Sequence, residues 1–71
     1  MRYFFDVDDG PRQVRDEVGK SLVSLEMAIL EAGVLLRSVA ALKLMQSKPG
    51  TTYVRVRDAN GKRVHQGSTQ I

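Results

Sequence analysis

One run decides most of what this chain can become. Between Ser24 and Pro49-Gly50 the sequence reads LEMAILEAGVLLRSVAALKLMQSK, rich in Ala, Leu and Met and free of proline. Ser24 is a good N-cap residue, Glu26 falls in the first turn where the helix dipole favours an acid, and Lys43 and Lys48 suit the other end. A helix is therefore expected over residues 24–46, stopped by Pro49 and Gly50. Gly33 weakens its interior by up to about 1 kcal/mol relative to Ala. A close packing contact at that position would account for it.

With the chain only 71 residues long, the two flanks must supply the surface that buries this helix, and both read as strands. Arg2 to Val7 alternates, with Tyr3, Phe5 and Val7 on one side and Arg2, Phe4 and Asp6 on the other. Asp8-Asp9-Gly10-Pro11 is a turn signal, and Gln13 to Asp16 reads as a short returning strand, so residues 1–18 form a first hairpin. Beyond the helix, Thr51 to Arg57 alternates Tyr53, Arg55 and Arg57 against Val54 and Val56. Asp58-Ala59-Asn60-Gly61 turns the chain and Lys62 to about Gln66 returns, a second hairpin over residues 51–67 with fraying expected from Gly67. The expected architecture is a single domain over residues 1–71 of the α+β class. Its order is ββαββ, an antiparallel sheet of two hairpins with one long helix packed on one face.

The sequence holds no cysteine, so a disulfide framework, a thiolate zinc site and a thiol nucleophile are excluded. A core this small lacks the usual staples, and self-association would offset that. Asp6, Asp8 and Asp9 interrupt the N-terminus before an apolar signal region can form, so a cytoplasmic location is expected. Leu25 to Met45 is long enough to span a bilayer, but Glu26, Glu31, Arg37 and Lys43 along it argue against a membrane role.

Set at about 100° per residue, the helix shows two apolar stripes. Leu25, Ala28, Ile29, Ala32, Leu35, Leu36, Val39, Ala40 and Leu42 fill a broad sector assigned to the sheet. Met27, Leu30, Val34, Ala41 and Leu44 form a second, with Arg37 at the missing heptad position. Single exposed apolar residues are common on soluble proteins. A contiguous stripe along a long helix instead marks a homodimer interface or the seat of a protein partner.

Few residues invite chemistry. With Asp6 as the first position of a calcium loop, Asp8 and Glu17 fall at the third and twelfth, but Gly10 and Pro11 occupy the fifth and sixth, where a ligand and a glycine are required. Alternation still sets Asp6 and Asp8 on one face, which leaves a weak cation site open. His65 is the lone histidine, with no cysteine and no carboxylate assigned to it, and no serine sits in a nucleophile elbow. No catalytic residue, cofactor or metal ligand is assigned, and an enzyme is not expected.

The charge is unevenly spread. Residues 1–35 carry four bases against seven acids, and residues 36–71 carry seven bases against one acid, Asp58. That asymmetry permits attraction between the halves, between copies, or to an anionic partner. Tyr53, Arg55 and Arg57, with Arg63 and His65 on the neighbouring strand, are expected to share one sheet face. There they would offer cations and a stacking ring to a nucleic acid, or form a solvated face that discourages edge pairing. No nucleic-acid motif accompanies them.

The opening Arg2-Tyr3-Phe4-Phe5, then Asp9-Gly10, Arg15-Asp16 and Gly19, and the closing Val54-Arg55-Val56-Arg57-Asp58 with Gly61 and Val64, resemble a bacterial family of small proteins. Its members begin M-x-R-Y-F-F-x-x-x-D-G and carry a late V-R-D-x-x-G. The family is a domain of unknown function, and the resemblance spans nearly the whole chain. It implies a small cytoplasmic α+β domain and brings no activity, cofactor or catalytic residue with it. The helix here, at Gly33-Val34-Leu35-Leu36 and Ala40 to Met45, is more apolar than the charged helices of that family. The sequence thus points to an interaction domain that self-associates or docks a partner through the helix or a sheet edge. The second reading is weak nucleic-acid binding through the basic hairpin.

Overall fold

Ser24 caps the helix as its position requires. In the computed structural model, which describes residues 1–70, its extended backbone (φ −156°) starts α1, Leu25–Met45, and its hydroxyl accepts the Met27 N–H at 3.2 Å. That bond satisfies one of the donors the first turn leaves free. The helix ends at Gln46, whose N–H donates to the Leu42 carbonyl at 3.0 Å. Ser47 then takes a positive φ of 52°, and the chain leaves through Pro49 and Gly50.

Five strands form one antiparallel sheet: β1 Arg2–Asp8, β2 Gln13–Val14, β3 Lys20–Ser21, β4 Thr51–Arg57 and β5 Arg63–Gln70. Its order is β2-β1-β4-β5, and β3 pairs with β1 beside β2. The architecture is α+β as expected, with α1 packed on β4 and β5. Pairing of Phe5 with Val56 and Val7 with Val54 sets β1 and β4 in a register that points apolar side chains from both strands at the helix. Tyr3, Ala28, Ala32, Val54 and Val56 are the buried core, with Phe5, Val7, Leu22, Leu25, Leu35, Leu36 and Val64 packed around them. Against the helix, Gly67 is the close approach: a Cβ there would lie 2.8 Å from Leu36 Cδ1. Its bare backbone lets α1 sit down on β5.

Four expectations need correction. The returning strand after the first turn stops at Val14, because Asp16 turns its side chain onto the β1 edge and the chain departs from the sheet before coming back as β3. The second hairpin does not fray from Gly67: β5 stays paired with β4 as far as Gln70 opposite Thr51. On α1, Ile29 and Leu42 are exposed rather than buried, because they lie toward the two margins of the apolar sector, where a helix turns away from the sheet beneath it. Lys43 is buried in their place and donates from Nζ to the hydroxyl of fully buried Thr52 at 3.1 Å. The packing contact expected at Gly33 is not made within the chain. A Cβ there would meet only Arg37 Nη1, at an ordinary 3.5 Å.

Candidate functional site

Two surfaces are left open by this packing: the sheet face turned away from α1, and the face of α1 turned away from the sheet.

On the sheet face, the acids of β1 meet the bases of β4. Register places Phe4 opposite Arg57 and Asp6 opposite Arg55, but the ion pairs run diagonally, as the twist of a β ladder allows. Arg57 donates from Nε to Asp6 Oδ2 at 2.7 Å and from Nη2 to Asp6 Oδ1 at 3.0 Å, a two-pronged pair that a guanidinium makes and an ammonium does not. Arg55 donates from Nη1 to Asp8 Oδ2 at 3.0 Å and from Nε to Gln66 Oε1 at 3.0 Å. Each guanidinium also lies 5.0 Å from an aromatic centroid, Arg57 over Phe4 and Arg55 over Tyr53. Two bases of the second half are thus paired with two acids of the first.

Asp16 completes the network, and nothing in strand alternation singles it out. Its Oδ2 accepts the Phe5 N–H at 3.0 Å, standing in for the carbonyl a neighbouring strand would offer, while Oδ1 accepts the N–H groups of Val18 and Gly19. Its own N–H donates to Asp6 Oδ1 at 2.9 Å, and its carbonyl accepts Arg57 Nη2 at 2.9 Å. The signal that could have found it is the spacing Asp16-x-x-Gly19, in which an acid accepts N–H groups two and three residues on and the glycine supplies a φ of 75°.

The electrostatics follow from these bonds. The Arg57 hydrogen bond holds the Asp6 carboxyl below the usual carboxylate range, against a smaller upward push from burial. For Asp16 burial is the largest influence and pushes upward, but the N–H groups of Gly19, Phe5 and Val18 together outweigh it and keep the carboxyl low. Asp8 is lowered by the Gly10 N–H and by Arg55. Asp6 and Asp8 do share a face, and Arg57 and Arg55 fill the place a cation would take. No group of three or more potential metal ligands occurs among the described residues.

Of the residues expected to form a basic face, Tyr53, Arg55 and Arg57 stand together on the outer side, with Arg63 opposite Arg57. His65 does not join them. An irregularity between Val56 and Arg57 shifts the register so that His65 pairs with Val56 and Val64 is the extra residue. His65 therefore sits on the helix side, its Nε2 3.8 Å from the position of a Cβ at Gly67.

The second surface lies on α1. Leu30, Val34 and Leu44 are 64%, 51% and 63% exposed, and Met27 and Ala41 are exposed beside them, with Met45 extending the patch. Arg37 is exposed within the same stripe. The expected residues are thus brought onto one continuous surface, opposite the buried line of Ala28, Ala32 and Lys43. Among the described residues no helix is long and apolar enough to cross a membrane.

These features define a class: a small α+β domain whose helix packs on one face of an antiparallel sheet and whose other sheet face carries two Asp–Arg pairs. The chain belongs to the family described as a domain of unknown function (DUF6894), which it matches over residues 2–69, from β1 into β5. No curated protein and no solved structure matches it.

Proposed function

We propose that this domain is an interaction module, not an enzyme, and that it self-associates through the solvent face of α1. The observation that carries this reading is the apolar stripe Met27, Leu30, Val34, Ala41 and Leu44, which runs along the helix without a partner among the described residues. Covering a large apolar side chain contributes on the order of 1–2 kcal/mol, and a pair of such stripes offsets the entropy lost on association. The alternative seat, the basic hairpin, is less available to phosphate. Arg55 and Arg57 are already satisfied by Asp8 and Asp6, and His65 lies on the other side of the sheet.

Sedimentation across the micromolar range tests the proposal. The wild-type chain is expected to dimerise, and Leu30→Glu to be monomeric with its circular dichroism unchanged. A strict monomer at high micromolar concentration overturns it.

A further inference from the structure

The solvent face of α1 carries two charges that its own chain leaves unpaired. Glu31 is taken by Lys20 at 2.9 Å, but neither Glu26 nor Arg37 has an ion-pair partner among the described residues. Eleven residues apart in the sequence, they return at about 100° per residue to within about 20° of one azimuth. Their separation along the axis is about 16 Å. Between them on that line stand Leu30 and Gly33, so the seam reads Glu26, Leu30, Gly33, Arg37 with steps of four, three and four.

This order is self-complementary when reversed. Laid antiparallel about a two-fold axis, Glu26 of one copy faces Arg37 of the other, and Leu30 faces Gly33, in both directions at once. A parallel pair would instead set Glu26 on Glu26 and Arg37 on Arg37, which opposes association. Gly33 supports the same arrangement independently. A glycine inside a helix is unfavourable, and here nothing in the chain requires one, since an added Cβ meets only Arg37 Nη1 at 3.5 Å. Facing Leu30 of a second copy, the missing side chain becomes the hole that receives a knob. Ile29 and Val34, both exposed, flank that crossing on opposite sides of the seam.

We infer that the occupant of the α1 face is a second copy of this chain, docked antiparallel with its crossing at Leu30 and Gly33 and with Glu26–Arg37 pairs at both ends. The inference rests on the self-association proposed above and adds its geometry.

Charge-swap variants test it by sedimentation equilibrium at low salt. Glu26→Arg or Arg37→Glu alone converts two attractive pairs into two repulsive ones and is expected to raise the dimer Kd about tenfold or more. The double variant E26R/R37E is expected to restore the wild-type value. Gly33→Leu is expected to abolish the dimer while the monomer melts no lower than wild type, because leucine favours helix and the one neighbour of an added Cβ is the end of the flexible Arg37 side chain. Gly33→Ala gives a milder version should the larger residue disturb folding. Rescue by the double variant supports the seam. A dimer indifferent to the single reversals and to both Gly33 variants overturns the seam but leaves self-association standing. A wild-type monomer overturns both.

Discussion

Arg57 grips Asp6 with two arms, Nε to Oδ2 at 2.7 Å and Nη2 to Oδ1 at 3.0 Å, and so ties the first strand to the fourth across most of the chain. The same Nη2 also reaches the Asp16 carbonyl, so one guanidinium joins β1, β4 and the segment between β2 and β3. Both partners are largely covered, with side-chain exposures of 14% for Arg57 and 23% for Asp6. Removing one leaves the other charged and poorly solvated. Asp6→Asn is expected to lower unfolding free energy by about 1–3 kcal/mol in urea titration at neutral pH. Arg57→Lys is expected to recover little of an Arg57→Ala loss, because an ammonium cannot make the two-pronged pair.

Acid should unfold the domain through the same carboxyls. Asp6 and Asp16 are held below the ordinary value of 3.8 in the folded state, so as pH falls the unfolded chain takes up protons first. The stability they contribute is complete above that ordinary value and is lost as pH drops through it toward the folded-state values. Denaturant midpoints are expected to stay level from neutral pH down to about 5 and fall below about 4. With Asp6→Asn the fall should be shallower. An unchanged acid limb would contradict the role assigned to the pair.

Two glycines with similar backbone angles should respond differently to alanine. Gly19 has φ of 75°, and a Cβ there would lie 2.8 Å from Phe4 Cε2 and 2.9 Å from the Tyr3 carbonyl oxygen. Gly61 has φ of 83° and nothing within 4 Å. Gly61→Ala is expected to cost only the left-handed backbone penalty, about 1–2 kcal/mol. Gly19→Ala adds a collision with backbone that cannot move aside and should cost about 3 kcal/mol or more. Thermal melts of the two variants side by side decide it.

Lys43 behaves as a core residue with a polar tip. Its stem fills the space under the C-terminal half of α1 while Nζ donates to Thr52 Oγ1. Lys43→Met keeps the volume and leaves one buried hydroxyl unpaired, for an expected loss of about 1 kcal/mol. Lys43→Ala also opens a cavity and should lose about 2–3 kcal/mol. Equal losses in chemical denaturation would show that the hydrogen bond, not the stem, matters at this site.

How much of this was legible beforehand depends on the range of the interaction. Ser24, Pro49 and Gly50 bound the helix through contacts a few residues long, and alternation along Thr51 to Arg57 is a local pattern, so both could be read directly. The exposed stripe was legible too, because helical spacing alone sorts Met27, Leu30, Val34, Ala41 and Leu44 to one side. Asp16 was not, since its role is to replace a strand carbonyl for Phe5, eleven residues away. The face of His65 was hidden by the one extra residue at Val64, which changes the pairing without changing the β-rich composition.

By itself the sequence determined the helix, its caps, the two turns around Gly10 and Gly61, and the α+β class, because these follow from dihedral preferences and side-chain periodicity. Only the tertiary structure decided where the uneven charge goes. Acids from the first strand and bases from the fourth come within hydrogen-bonding distance only after β1 and β4 pair, and pairing is a long-range event that no local pattern encodes. The same packing leaves one face of α1 uncovered, since a sheet reaches only the side of a helix laid against it, and the opposite side here carries apolar residues as well.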